Sequence, residues 1–204
     1  SMSLSKEQIA RYSRQLRLPE VGVPGQRRLA EASVLLIGAG GLGCPAALYL
    51  AAAGVGRLGL VDDQTVELNN LHRQILYAAS DGGRPKVESA AETLLARNPE
   101  IQVDAIAQRL TAANALRLVQ SYDVVLDGSD NFPTRYLAND ACVIARKPLV
   151  HAAAIRFQGQ LLTILPGRSA CLRCVFPEPP EAGTIPSCQD SGVLGSTVGI
   201  IGTL

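Results

Sequence analysis

The chain has 204 residues, of which 47% are hydrophobic, and a formal net charge of +1 from 19 basic and 18 acidic side chains. The length suits a single domain over residues 1–204, and the balanced charge gives no electrostatic reason to expect nucleic acid or a membrane surface as a partner. No apolar run approaches the about 18 residues of a membrane-spanning helix, and the polar N-terminus does not resemble a signal peptide. The five scattered cysteines do not suggest a disulfide framework, so we expect a cytoplasmic protein with reduced thiols.

Strand and helix patterns alternate along the chain. Ser5 and Gln8 have the spacing of a capping box, which predicts a helix over 6–16 within an N-terminal helical segment, 1–31. Short apolar runs bounded by glycine, proline or charged residues predict buried strands. These strands cover 34–37, 58–61, 101–106, 123–127, 148–154 and 159–166. Further helices are predicted at 26–31, 42–53 (ending at Gly54), 86–98 (after Pro85), 111–120 (capped by Thr111) and 131–145.

The repeated strand–helix order predicts an α/β fold: a Rossmann-like, doubly wound and mostly parallel sheet with helices on both faces. Residues 176–190 are rich in proline and predict an exposed, mobile loop. An apolar segment then runs to Leu204, and Gly195 and Gly199, one helical turn apart, predict close packing of a helix. Because this helix lacks a C-terminal cap, we interpret the C-terminus as truncated.

A glycine-rich turn follows the first predicted strand. Gly38, Gly40 and Gly43 satisfy G-x-G-x-x-G and open the next helix, a context that favours phosphate binding at the helix N-terminus. Asp62 ends the second strand, 24 residues after Gly38, where a carboxylate can bind ribose hydroxyls. These features predict a nucleotide site, and NAD and ATP both fit them.

Three cations fall near this predicted site. Arg73 lies in the stretch NNLHRQ after the second strand, Lys86 begins the next helix, and Arg14 belongs to the first helix. Each alone suits a solvated residue or an ion-pair partner. Together they suit a triphosphate and a charged transition state better than they suit NAD.

Two carboxylates follow the strand over 123–127. Asp127 and Asp130 flank Gly-Ser at the carboxyl end of a parallel strand, the edge where α/β sheets place their ligands. A carboxylate there suits Mg²⁺, which takes one or two protein carboxylates and keeps several waters. The alternative is that Asp130 or Asn131 caps the following helix.

Five motifs occur in the order GAGGLG, VDDQTVELNNLHRQ, GRPKVESA, LDGSDNFPTRYLAND and CLRC. With them the sequence resembles the MoeB/ThiF family of E1-like adenylyltransferases, which activate ubiquitin-like sulfur-carrier proteins. The resemblance covers Arg14 to Leu204. NLHRQ and GSDN do most to separate this family from dehydrogenases.

The resemblance implies that the protein adenylylates the C-terminal glycine of a MoaD/ThiS-type carrier ending in Gly-Gly. It implies that the reaction consumes ATP, requires bound Mg²⁺ and releases pyrophosphate. It implies catalytic roles for Arg73, Lys86 and Asp130, the last with magnesium, and for Arg14, contributed across the interface of a homodimer. The implied ATP-binding residues are Gly38, Gly40, Gly41, Gly43, Asp62, Asn69, Asn70, Arg73, Gln74, Lys86, Asp130 and Asn131.

The cysteines divide into three groups. Cys171 and Cys174 have zinc-ligand spacing, and the family completes this site with a second C-x-x-C near the C-terminus that the sequence lacks. The resemblance therefore implies a zinc-knuckle extension and structural zinc in the intact protein, of which this chain holds half a site. Cys188 aligns with the family's crossover-loop cysteine, which links to the carrier or relays sulfur in some members. Cys44 and Cys142 lie in apolar helices and are predicted to be core residues.

Two alternatives to the adenylyltransferase remain. An NAD-dependent oxidoreductase would use the glycine turn but gives no role to Arg73, Lys86 and Asp130. A non-catalytic E1-like scaffold would keep the fold without the reaction. Molybdenum cofactor, thiamine and tRNA thiolation routes all use such enzymes, and the stretch FPEPPEAGTIPSC is closer to the molybdopterin pattern.

Overall fold

The computed structural model describes residues 4–180 and 191–204. The predicted loop over 176–190 is therefore covered only at 176–180, and Cys188 lies outside the described residues. No helix in the described ranges is long and apolar enough to cross a membrane.

The N-terminal segment forms three helices, α1 (Lys6–Arg11), α2 (Ser13–Leu16) and α3 (Gly22–Glu31). The capping box at the start of α1 is confirmed. The predicted single helix is instead broken at Tyr12, which is buried and whose hydroxyl accepts a hydrogen bond from Asn98 Nδ2 at 2.8 Å. α3 begins four residues earlier than predicted because Pro24 falls in its first turn, where proline is tolerated.

One six-stranded sheet forms the centre of the fold. Its strands are β1 (Ser33–Ile37), β2 (Arg57–Val61), β3 (Gln102–Ile106), β4 (Val124–Asp127), β5 (Leu149–Ile155) and β6 (Gln158–Ile164). They lie in the order β3-β2-β1-β4-β5-β6, with β1 to β5 parallel and β6 antiparallel to β5. The predicted Rossmann-like, mostly parallel sheet is confirmed. Its order reverses between β1 and β4, the switch point where such sheets bind ligands.

Helices cover both faces of the sheet. On one face lie α4 (Gly43–Ala53) and α5 (Lys86–Arg97), and on the other lie α6 (Ala115–Gln120) and α7 (Phe132–Ala145). Alternate residues of β1 point to the two cores, because side chains alternate across a strand. The predicted bounds of α4, α5 and α7 each differ from the observed ones by one residue at one end. The predicted start of α6 is wrong: Asn114, not Thr111, is its N-cap, and residues 111–114 form a preceding turn.

In the described residues after β6, the chain forms the short helix α8 (Leu172–Val175) and helix α9 (Gly195–Thr203). α9 packs on α4, β5 and β6, which confirms the predicted close packing of this helix. The predicted contact residue Gly199 is wrong, since a Cβ there would meet nothing within 4 Å. The close approaches are at Gly195, where a Cβ would lie 2.6 Å from the carbonyl oxygen of His72, and at Gly202, where it would lie 2.4 Å from that of Leu42. Helix α9 therefore contacts both the glycine turn and the segment after β2.

Candidate active site

A polar cleft of about 1010 Å³ opens at the carboxyl ends of β1, β2 and β4. It lies at the switch point of the sheet, where loops after neighbouring parallel strands converge. Eleven of the predicted site residues line it: Gly38, Gly40, Gly41, Asp62, Asn69, Asn70, Arg73, Gln74, Lys86, Asp130 and Asn131. The structure thus brings together residues as far apart in the sequence as Gly38 and Asn131.

Gly43 does not line the cleft but determines how the glycine turn packs. A Cβ at this first residue of α4 would lie 2.0 Å from the carbonyl oxygen of Gly38, closer than any real contact. The third glycine of the motif therefore allows the helix to sit directly on the turn.

We expect Gly43→Ala to destabilise the fold by about 1–3 kcal/mol, the usual cost of overpacking a close backbone contact. The matched control is Gly199→Ala, since the new methyl group on α9 meets nothing within 4 Å. Alanine also has the higher helix propensity, so this control should be neutral or stabilising by up to about 1 kcal/mol. Urea unfolding measures both variants, and equal stabilities would contradict the packing argument.

The turn itself is fixed at Ala39 from two directions. Asp62 Oδ2 accepts the Ala39 N–H at 2.9 Å, and the Tyr77 hydroxyl donates to the Ala39 carbonyl at 2.6 Å. Cys44 Sγ lies 3.6 Å from the same carbonyl. Burial raises the pKa of the Cys44 thiol to about 12, so this cysteine is a protonated core residue, as predicted. The second oxygen of Asp62 accepts the Gln64 N–H at 2.9 Å, and a carboxylate has lone pairs left for ribose hydroxyls.

Lys86 is the most unusual charge in the cleft because its residue surface is only 3% exposed. Its Nζ donates to Gln64 Oε1 at 2.8 Å. Among residues 4–180 and 191–204, no carboxylate lies within ion-pair distance of this ammonium. A buried charge without a counter-ion is costly, so an anionic ligand is the natural partner of Lys86.

The segment after β2 presents a second cation to the cleft. Arg73 Nη1 donates to the Asn69 carbonyl at 2.9 Å and lies 2.8 Å from His72 Nε2. No ion pair involves Arg73 within the part of the chain that the structure describes. The buried Asn70 shapes the local turn, since its Oδ1 accepts the Glu67 N–H at 3.1 Å.

Gln74 supplies an unpartnered acceptor. The residue is buried, and its Oε1 has no hydrogen-bond partner among the described residues. Its Nε2 would lie 3.7 Å from a Cβ at Gly40, which places this amide beside the glycine turn.

The sequence left open whether Asp130 and Asn131 bind magnesium or cap helix α7, and the structure gives them different positions. Asn131 Oδ1 accepts the Thr134 N–H at 3.0 Å and is the N-cap of α7. Asp130 is exposed in the cleft, and its carboxylate accepts only a long 3.4 Å hydrogen bond from Asn131 among the described residues. A free carboxylate of this kind fits Mg²⁺, which would take its other ligands from phosphate and water, because no cluster of three or more His, Cys, Asp or Glu forms a metal site within 4–180 and 191–204.

Two further cations line the cleft that were not predicted from the sequence. Arg135, in the first turn of α7, donates to the Ser129 carbonyl at 3.3 and 3.4 Å. Arg109, three residues after β3, lies 3.9 Å from Asp63. A signal existed for Arg135, which follows the predicted cap Asn131 by four residues and thus returns to the same helix face.

The remaining predicted residues lie outside the cleft. Arg14 is exposed on α2 and is not part of the cleft lining. The thiols of Cys171 and Cys174 lie 3.5 Å apart, which suits half of a tetrahedral zinc site. Partial burial raises the pKa of the Cys171 thiol, but hydrogen bonds from Cys174, Arg173 and Asn139 together outweigh it and lower that pKa overall. The other two zinc ligands are not found in the described ranges. Cys142 is buried, as predicted.

A family model described as the ThiF family matches residues 12–204. The chain belongs to the ThiF family. This ThiF-family chain is 58% identical over 202 residues to a protein of Sus scrofa named adenylyltransferase and sulfurtransferase MOCS3, and 52% identical over 201 residues to the protein of that name from Drosophila yakuba. The matches cover 99% and 98% of the chain but only 44% of each relative, so the chain spans less than half the length of these curated relatives.

Solved structures carry the same fold. The crystal structure of E. coli MccB with MccA-N7isoAsn is similar to the ThiF-family chain with a TM-score of 0.81 and 27% identity, over 94% of this chain and 61% of that one. The crystal structure of E. coli MccB with ATP is similar with a TM-score of 0.77 and 26% identity, over 94% of this chain and 60% of that one.

Proposed function

We propose that this ThiF-family domain is an adenylyltransferase, which binds ATP with Mg²⁺ in the cleft and transfers AMP to the C-terminal carboxylate of a protein partner. The single observation that carries this proposal is the buried ammonium of Lys86, which has no carboxylate partner in the described ranges. A polyanion supplies the missing counter-charge. The names of the relatives, adenylyltransferase and sulfurtransferase, support the same chemistry.

The cleft residues hold the nucleotide in this proposal. The glycine turn and the N-terminus of α4 receive the phosphates, and the free lone pairs of Asp62 accept ribose hydroxyls. Lys86 and Arg73 neutralise the charge that develops on the leaving phosphates. Asp130 would hold Mg²⁺, which would supply positive charge to neutralise the phosphates.

The reaction needs no general base. A C-terminal carboxyl has a pKa of about 3.5 and is already an anion at neutral pH. One of its oxygens attacks the α-phosphorus, the bond from that phosphorus to the β-phosphate bridge breaks, and pyrophosphate leaves with the electron pair. The domain therefore contributes positioning and charge neutralisation.

The partner in this proposal is a ubiquitin-like sulfur carrier of the MoaD/ThiS type that ends in Gly-Gly. Arg14 acts from the second subunit of a homodimer, which its position outside the cleft of its own chain would require. Structural zinc at Cys171 and Cys174, a carrier linkage or sulfur relay at Cys188, a place in molybdenum cofactor synthesis and a cytoplasmic location all stay predictions.

ATP–pyrophosphate exchange in the presence of Mg²⁺ tests the proposal. We expect exchange that depends on a carrier ending in Gly-Gly, and the matched control is the same carrier with an amidated C-terminus, which lacks the attacking carboxylate. ATP binding without exchange for any carrier would favour a non-catalytic scaffold. Binding of NADH but not of ATP would favour the oxidoreductase.

A further inference from the structure

A buried histidine–aspartate pair lies beneath the loop that carries Asp130. His151 Nδ1 is 2.7 Å from Asp127 Oδ2, and the two side chains are 3% and 0% exposed. The pair joins neighbouring strands, because Asp127, the last residue of β4, is the register partner of His151 within β5. Neither residue lines the cleft, so neither touches the proposed substrate.

The second oxygen of Asp127 holds the next part of the loop. Asp127 Oδ1 accepts both the Ser129 N–H at 3.0 Å and the Ser129 hydroxyl at 2.6 Å. Arg135 donates to the Ser129 carbonyl from the other side at 3.3 and 3.4 Å. The backbone immediately before Asp130 is therefore fixed in two directions.

The same loop packs on the glycine turn. A Cβ at Gly38 would lie 3.0 Å from the Gly128 carbonyl oxygen, and a Cβ at Gly128 would lie 3.3 Å from the Gly43 nitrogen. With backbone in contact at this distance, a shift of the loop moves Asp130 relative to the phosphate-binding turn. The proposed reaction is sensitive to such shifts, since a displacement of about 1 Å can cost 100-fold in rate.

His151 supplies the hydrogen-bond donor for Asp127 Oδ2. An ionised carboxylate only accepts hydrogen bonds, so His151 Nδ1 carries the hydrogen and donates it. Asp127 Oδ2 has no other hydrogen-bond partner among the residues that the structure describes. Without a donor at position 151, a fully buried carboxylate oxygen is left unpaired, and the loop must move to satisfy it.

We propose that His151 is a positioning residue, which acts through Asp127 and Ser129 to hold Asp130 against the magnesium-bound phosphates. The inference rests on the proposed function for its ligand, ATP with Mg²⁺. It assigns a role to a buried pair that the reaction itself does not use.

Two substitutions of His151 distinguish a role in positioning Asp130 from a role in core packing alone. His151→Leu removes the donor, whereas His151→Asn keeps an N–H close to the place of Nδ1. The stability control is Val125→Ala, which creates a cavity in the core on the same strand as Asp127 without touching the pair. All variants are made in the full chain, and thermal unfolding shows whether they are folded.

Titration calorimetry then measures the dissociation constant of ATP with and without Mg²⁺. We expect His151→Leu to lose about tenfold or more of the affinity that Mg²⁺ adds, with little change in magnesium-free binding, because the Asp127 oxygen left without its donor displaces the loop that carries Asp130. His151→Asn and Val125→Ala should keep the magnesium effect. As the chain has two histidines, an NMR signal from the hydrogen-bonded Nδ1–H can be assigned by its loss in His151→Asn.

Equal magnesium effects in His151→Leu and Val125→Ala would overturn the inference and leave His151 a packing residue. If the wild-type protein and the variants show the expected pattern but no Gly-Gly carrier supports pyrophosphate exchange, the proposed function fails while the positioning role stands. If exchange works and His151→Leu retains the full magnesium effect, the positioning role fails alone. A wild-type protein that binds ATP equally with and without Mg²⁺ would overturn both.

Discussion

Replacing Lys86 with methionine is expected to lower the adenylylation rate by about 100- to 1000-fold, the usual effect of removing one group that stabilises developing charge. The fold should not lose stability. Lys86 is buried without a carboxylate partner in the described part of the chain, so methionine removes a costly charge and keeps a similar length of apolar side chain. Its partner Gln64 is exposed and can bond to water instead.

The Lys86→Met variant is tested by two measurements, exchange activity and thermal stability, which should not fall together. Pyrophosphate exchange should fall while the melting temperature stays level or rises. The control is Lys147→Met, which removes the same charge before β5, at the other end of the strands from the cleft. A joint fall in stability and exchange would show that Lys86 holds the fold together, and an unchanged exchange rate would remove the observation on which the proposed function rests.

The parallel strand–helix–strand arrangement and the place of the cleft followed from local patterns in the sequence. Apolar runs at 34–37 and 58–61 with a glycine turn between them predict a βαβ unit, and parallel strands place their carboxyl ends at one edge. Asp62 and Asp130 follow such strands, and Lys86 begins the helix after the second strand. Their convergence in one cleft could therefore be predicted before any tertiary contact was known.

Contacts between elements distant in the sequence could not be predicted. The pairing of His151 with Asp127 depends on strand register across β4 and β5, which neither strand encodes alone. Likewise Gly202, not Gly199, meets α4, because the rotation of α9 about its axis is set by the surfaces it packs on.

The burial of Lys86 could not be predicted from the surrounding sequence either. The motif GRPK places it at the start of α5, where a lysine is usually solvated. The bridge between Thr65 and Pro85 and the Lys86 N–H to Gln64 carbonyl hydrogen bond at 3.0 Å hold this helix start against the segment after β2. Tertiary structure thus turns an ordinary surface cation into a desolvated one, which interacts more strongly with phosphate.

Asp130→Ala is the second change with a large expected effect. Its carboxylate is exposed and makes one long hydrogen bond, to Asn131, among the described residues, so the free energy of unfolding should change by less than about 0.5 kcal/mol. Exchange, in contrast, should fall by about 100-fold or more, since Asp130 would no longer hold Mg²⁺ against the leaving phosphates.

Charge and coordination can be separated at this position. Asp130→Asn keeps the shape and one oxygen but removes the negative charge, and excess Mg²⁺ should restore part of its activity if weakened metal binding is the defect. Asp63→Ala is the control, since it removes a carboxylate from the same cleft that pairs with Arg109 at 3.9 Å and follows the ribose-binding position. If Asp130→Ala and Asp63→Ala lowered exchange equally, the effect would reflect the total charge of the cleft, and the assignment of magnesium to Asp130 would be wrong. If only Asp130→Ala lowered it, the carboxylate must act where it stands, on the loop that the buried His151–Asp127 pair supports.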